Sequence, residues 1–238
     1  MTELIYLNNT YLYKDTSTIV SYDEDDFGPF ITLDKTIFYP QGGGQPADQG
    51  IIASDSIEFN VIDVRLTADG IVKHYGNLIK GDAKLGANVD CNVNAERRIL
   101  NAKLHSAGHL LDCAVAKLGL PLSPTKGFHF PEGTYVEYTG KLEDGNQYKE
   151  ELERIINELV QDDLPINVLH LSPNEASEKG IIAPEGKSAR YVEFSNYEGC
   201  GCGGTHIKSS KELGRIVIRK LKSKKGNTKI SYALAETL

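Results

Sequence analysis

The feature that most constrains this chain is a pair of two-residue clusters set far apart in the sequence. His105 and His109 lie in Leu104-His105-Ser106-Ala107-Gly108-His109-Leu110-Leu111, a run that reads as helix. A spacing of four is slightly more than one helical turn, so both imidazoles project from one face. Cys202 and His206 lie in Cys200-Gly201-Cys202-Gly203-Gly204-Thr205-His206, again with three residues between them. A histidine pair at helical spacing is commonly a coincidence or part of a hydrogen-bonded core. Here, however, the chain has only 6 histidines and 4 cysteines, and four of them fall into two matched clusters. Three imidazoles and one thiolate make a tetrahedral zinc set, so the fold is expected to bring the two pairs around one zinc ion. The glycines between Cys202 and His206 let that loop turn back on itself. Cys200 offers a second thiol, although only Cys202 has the matching spacing. Cys113 continues the histidine row and reads as either a further ligand or buried packing.

The rest of the composition bounds what surrounds such a centre. With 238 residues, 40% of them hydrophobic, the chain can form one large domain or two modest ones. No apolar run approaches the ~20 residues of a membrane span. The start, Met1-Thr2-Glu3-Leu4-Ile5, lacks the basic and apolar regions of a secretory signal, so a cytoplasmic location is expected. In a reducing compartment, clustered cysteines read as metal ligands rather than disulfides. The net charge of −7 argues against indiscriminate coating of nucleic acid. Yet Lys208 to Lys229 holds nine basic residues against one acid, Glu212. That run is either a solvated face or a phosphate-contacting patch, with Lys224 and Lys225 as its candidate contacts.

The expected fold class is α+β, with an N-terminal β-barrel-like domain over residues 1–90 and an α+β zinc-binding domain over 91–238. Strands are expected at Thr10–Tyr13, Ser17–Tyr22, Phe30–Leu33, Glu58–Leu66 and Gly70–His74, separated by polar turns. Within them, Thr36 to Gly50 carries the triple glycine Gly42-Gly43-Gly44, followed by Gln45. This is neither a Walker loop nor a dinucleotide fingerprint and reads as a wide loop, a barrel corner or a place of close backbone approach. Residues 81–92 read as a connector. A long helix follows, from about Asn94 as N-cap to Leu118, with an apolar stripe through Leu100, Leu104, Ala107, Leu111 and Ala114. Further on, two strands around Lys126–Phe130 and Thr134–Tyr138 precede a helix at about 146–161. A strand is then expected at Ile166–Leu171, and Ser172-Pro173-Asn174-Glu175 forms a capping box that starts a short helix. A strand at Arg190–Phe194 leads into the cysteine loop, and a final hairpin turns at Lys224-Lys225-Gly226-Asn227.

A zinc ion with four protein ligands is structural, and one with an exchangeable position acts on substrate; the ligand types alone leave both open. The zinc-protease pattern His-Glu-x-x-His is absent, because Ser106 follows His105. A zinc deaminase pattern is absent as well. Without a glutamate base on the ligand helix, cleavage of an activated ester fits better than peptide hydrolysis.

Three stretches, in order, resemble the AlaX-type alanyl-tRNA editing proteins, free-standing relatives of the alanyl-tRNA synthetase editing domain. They are the glycine-rich run from Asp34 to Asp48, His105-x-x-x-His109, and Cys202-Gly-Gly-Thr-His206. The resemblance implies hydrolysis, in trans, of the ester joining serine or glycine to the 3′ end of mischarged alanine tRNA. It implies one zinc ion held by His105, His109, Cys202 and His206, with tRNA(Ala) as partner and neither DNA nor a membrane. It also implies that the segment Gly42, Gly43, Gly44 and Gln45 contributes to serine selectivity. Gly108 and Thr205, inside the metal motifs, are further candidate substrate contacts.

Two departures stand out. The family often has threonine just before the second histidine, where this chain has Gly108. Synthetase editing domains carry Gln-x-Gly-Ser after the long helix, where this chain has Thr125-Lys126-Gly127-Phe128. Lys126 and His129 therefore join His105 and His109 as candidate catalytic residues. Two other readings compete: a threonyl-type editing domain sharing the zinc pairs, and a non-catalytic, zinc-stapled module that binds tRNA or protein.

Overall fold

Alternating apolar and polar residues build the first part of the chain into strands β1 (Glu3–Leu4), β2 (Lys14–Asp25), β3 (Gly28–Leu33), β4 (Lys35–Thr36), β5 (Gly50–Ser54), β6 (Ile57–Leu66), β7 (Val72–Gly81) and β8 (Asn88–Val93). The computed structural model describes residues 1–181 and 188–237, without the side chain of Asn146. Six strands close into a barrel in the order β2-β3-β7-β6-β5-β8, antiparallel throughout. Closure leaves these strands without a free edge. Inward-facing Ile19, Ile31, Ile52, Phe59, Val64 and Cys91 fill the interior. The short strands β1 and β4 pair in parallel beside it.

Three expectations need correction. The supposed connector at 81–92 contains β8, which closes the barrel by pairing with both β2 and β5. Its sequence, Asn-Val-Asp-Cys-Asn-Val, buries Val89, Cys91 and Val93, while the alternate polar residues conceal it in a composition-based reading. Thr10–Tyr13 is not a strand; β2 begins at Lys14. β5 was not foreseen, because Gly50 and the preceding glycine-rich run mask its five residues.

The triple glycine makes a tight turn rather than a wide loop. Gly42 and Gln45 exchange backbone hydrogen bonds of 3.2 and 2.8 Å across two residues, Gly43 and Gly44, with φ of +53° and +77°. Two consecutive positive φ angles are the signature of a primed hairpin turn and favour glycine at both positions. Gln45 is fully buried, whereas Gly42 and Gly43 are exposed. The same stretch ends in Asp48, whose carboxylate is fully buried against the Arg98 guanidinium. Arg98 also donates to the carbonyls of Thr10 and Ile37, and Asp48 accepts from the Tyr39 backbone N–H at 2.6 Å. A buried ion pair is tolerable only with such additional bonds.

Helix α1 (Ala95–Lys117) follows β8. Asn94 caps it, its side-chain oxygen accepting from Arg97 N–H at 3.0 Å, and Gly119 at φ +65° stands beyond its end. The chain divides into two compact units, Met1–Asn101 and Ala102–Leu238. The division falls inside α1, and Arg97, like Arg98, bonds within the barrel unit, donating to Ala47 O at 3.0 Å.

The second unit continues with β9 (Ser123–Phe128), β10 (Tyr135–Thr139), α2 (Lys149–Gln161), β11 (Ile166–Leu171), α3 (Pro173–Glu178), β12 (Ala189–Phe194), β13 (Cys200–Gly201), β14 (Ile216–Lys224) and β15 (Asn227–Leu234). One sheet runs β14-β15-β10-β9 and another β11-β12-β13. α2 buries Leu152, Ile155, Ile156, Leu159 and Val160. Its polar residues also cover the outer edge of β14: Asn157 bonds both N–H and C=O of Ile216, at 2.9 and 2.7 Å, and Glu153 accepts from Ile218 N–H at 3.0 Å. An edge strand satisfied in this way is no template for aggregation. The Ser172–Glu175 capping box forms as the sequence predicts.

Candidate metal centre

Two elements of the second unit carry the two candidate metal-ligand pairs. His105 and His109 stand on α1, which buries most of its surface between Ala102 and Val115. The loop bearing Cys202 and His206 leaves β13, which is paired with Tyr191 and Val192 of β12. Arg190 grips the loop twice: its carbonyl accepts from Cys202 N–H at 3.0 Å and its guanidinium donates to Cys202 O at 2.7 Å. Gly204 N–H, 3.4 Å from Cys202 Sγ, turns the loop inward.

One ligand atom from each of His105, His109, Cys202 and His206 converges so that all four lie within 4.8 Å of one another. Cys202 Sγ is 3.5 Å from His105 Nε2 and 3.3 Å from His206 Nε2. A tetrahedron with bonds of ~2.0–2.3 Å has edges of about 3.5 Å, so the two separations from Cys202 fit a tetrahedral metal ion. Burial keeps the imidazoles neutral, as ligation requires. His105 and His206 are held well below the usual histidine range, first by desolvation and then by their neighbours, and desolvation brings His109 down to about 4. Burial raises the Cys202 thiol, a cost that a bound divalent cation offsets by favouring the thiolate.

Ser106 escaped notice in the sequence beyond its not being glutamate. Its Oγ lies 3.0 Å from His206 Nδ1 and 3.4 Å from Ile207 N. With Nε2 turned towards Cys202, His206 carries its proton on Nδ1 and donates it to Ser106, which fixes ring and tautomer as metal-bound histidines require.

His129 stacks on His105, with centroids 4.5 Å apart and planes 19° apart. The Tyr232 hydroxyl donates to Leu104 O at 2.8 Å, so the proton in the 2.6 Å contact between His129 Nδ1 and Tyr232 Oη comes from the imidazole. His129 Nε2 is thereby left as a lone-pair acceptor. The glycine at 108 now has a cause. A Cβ there would meet His129 Cε1 at 2.4 Å, and one at Gly127 would meet its Nε2 at 2.3 Å. His129 occupies the space that side chains at 108 and 127 would fill. Neither Tyr232 nor this dependence could be read from local spacing.

The remaining candidates differ in their setting. Thr205 is fully buried in the ligand loop. Lys126 is exposed on β9, opposite Glu137 of β10. Lys224 and Lys225 are exposed where β14 turns into β15, with Lys225 at φ +51°. Gly42, Gly43, Gly44 and Gln45 belong to the barrel unit. Cys200 is outside the four-ligand group, its Sγ 3.7 Å from His109 Nδ1, and Cys113 is buried outside it.

Comparison with known proteins adds a second line. The profile of the family described as tRNA synthetases class II (A) matches residues 9–97. The chain is 30% identical over 251 residues to the alanyl-tRNA editing protein AlaX-M of Methanosarcina barkeri, covering 99% of this chain and 100% of that protein. It is 31% identical over 238 residues to AlaX-L of Pyrococcus horikoshii, covering 98% of this chain and 58% of that protein. Against the alanine–tRNA ligase of Methanopyrus kandleri, identity is 30% over 245 residues, covering 99% of this chain and 26% of the ligase.

Proposed function

The chain belongs to the family of AlaX alanyl-tRNA editing proteins, and on that premise we propose that it hydrolyses, in trans, the ester of serine or glycine wrongly attached to alanine tRNA. The observation that carries this reading is the convergence of His105, His109, Cys202 and His206 beside an acceptor-bearing His129. A zinc ion held by those four residues, and able to take a fifth ligand, would supply Lewis-acid polarisation of the ester carbonyl or of a water molecule.

The chain's own groups do the rest. Ser106 keeps His206 in the ligating tautomer, and Arg190 holds the Cys202 loop against β12. His129 is a poor base, since desolvation drives it down to about 3, but a good neutral acceptor. Its Nε2 suits the hydroxyl of a seryl group. A pocket that hydrogen-bonds a substrate hydroxyl rejects the analogue lacking it far more strongly than size alone allows. Alanine is thereby spared, although it is smaller than serine, and glycine, which also lacks the hydroxyl, is cleaved less readily than serine.

Gly42 and Gly43 contribute exposed backbone to substrate binding, and Gln45 supports their turn from the interior. Gly108 and Thr205 shape the pocket around the metal ligands. Lys126, Lys224 and Lys225 meet the tRNA backbone. The deciding experiment is deacylation of serine-, glycine- and alanine-charged tRNA(Ala) by purified protein of measured zinc content. The expected result is rapid loss of serine with alanine retained, and slower loss of glycine. Retention of all three esters by zinc-loaded protein would leave a structural metal and overturn the proposal.

A further inference from the structure

A cavity of about 330 Å³ opens beside the metal ligands within the second unit, and its walls include His109, Asp112, Tyr138, Glu193, Glu198 and Cys200. No lysine or arginine is among its described lining residues. An acid-lined cavity free of cations repels phosphate and favours a positive group. Asp112 is its most distinctive wall group. It follows His109 by three positions on α1, so the two side chains are neighbours one turn apart, roughly 5–6 Å between Cβ atoms. Its Oδ1 accepts from Tyr138 Oη at 2.7 Å, and among the described residues no cation is paired with it. Tyr138 comes from β10 and is itself fully buried, so the carboxylate is held in place from a second element.

From this geometry, and resting on the editing reading above, we infer that Asp112 binds the α-ammonium group of the aminoacyl ester. The substrate supports the assignment. The terminal nucleoside is neutral and the tRNA backbone is anionic, so the α-ammonium is the one cation near the scissile bond. Its nitrogen is separated from the ester carbonyl carbon by a single carbon. A carboxylate one helical turn from a metal ligand is therefore placed to hold the amine while the carbonyl faces the metal ligands. Burial, against the opposing pull of the Tyr138 hydrogen bond, pushes Asp112 up to about 7, the penalty for a carboxylate without a cation, and a bound ammonium relieves it. The sequence hid this residue because a lone aspartate on a helix reads as a solvated position.

The test compares seryl-tRNA(Ala) with its α-hydroxy analogue, in which a neutral hydroxyl replaces the ammonium. With each rate divided by the uncatalysed hydrolysis of the same ester, since the ammonium itself activates the carbonyl, the wild-type protein is expected to cleave the analogue about ten- to a hundredfold more slowly, the range of one charged hydrogen bond. Asp112→Asn is expected to slow the seryl ester by a similar factor and leave the analogue unchanged, with zinc content intact. Tyr138→Phe is expected to act in the same direction, more weakly. Equal cleavage of ester and analogue by the wild type would overturn the inference while leaving the editing function standing. Equal slowing of both by Asp112→Asn would also overturn it, and would make Asp112 a general base or a structural group. If Asp112→Asn fails to fold, the wild-type comparison still decides. Wild-type protein inert towards every ester would remove the editing reading itself, and this inference with it.

Discussion

His74 in the barrel and His105 in the second unit are almost equally buried, at 0% and 2% exposure, and desolvation keeps both neutral. They differ in where their nitrogens point. His74 directs Nε2 to Thr36 Oγ1 at 2.8 Å and Nδ1 to Ile31 O at 2.9 Å, a completed polar contact inside an apolar barrel. His105 directs Nε2 at Cys202 Sγ, on a point that His109 and His206 also approach. Lone pairs aimed at one point repel unless something electron-deficient lies between them. Burial therefore does not distinguish a structural histidine from a ligand; convergence does.

The strongest way to break this contrast is to exchange the consequences of mutation. His109→Ala is expected to abolish stoichiometric zinc and slow deacylation by ~10³-fold or more, the scale of losing metal-assisted charge stabilisation. His74→Gln is expected to leave zinc content and deacylation intact. Zinc analysis alongside the deacylation assay checks both, and zinc loss in the His74 variant would erase the distinction.

A pH series sharpens it. His74 has a folded value of about 4, below the ordinary 6.5. Its stabilising contribution is full above pH 6.5 and is lost as the pH falls towards 4, roughly 3 kcal/mol across that window. Urea unfolding of zinc-depleted protein should show an acid slope to which His105, His109, His129 and His206 also contribute, and His74→Gln should reduce it by about one proton's worth.

A smaller effect lies at the edge of the metal centre. Gly108→Ala should cost about 1–3 kcal/mol through overlap with the His129 ring. The double variant Gly108→Ala/His129→Ala should recover part of that loss, so a double-mutant cycle in urea should reveal coupling. Additive costs would mean the ring does not fill that space. The smallest effect is electrostatic. Replacing Lys224 and Lys225 by alanine should lower the logarithmic salt slope of tRNA binding by about 1–2 and leave zinc untouched.

Much of the metal centre was legible, because helical spacing and residue type act locally. His105 and His109 share a face through one turn of α1, and Cys202 and His206 face back through a glycine loop. The Asn94 cap and the Ser172–Glu175 box were legible for the same reason, since both are contacts over three residues. β8 was not, because its inward residues are separated by Asn and Asp and its partners lie in β2 and β5. Gly108 showed only a departure from the family's habit, with no reason attached.

The sequence by itself determined the ligand chemistry, the helix that carries half of it and the turn-forming glycines, all of which depend on residues a few positions apart. The tertiary structure alone decided that Asp48 meets Arg98, that Ser106 orients His206 and that Tyr232, 103 positions from His129, sets its tautomer. It also opened the cavity beside Asp112. Those outcomes depend on which distant side chains fill one another's space, and no local spacing encodes that.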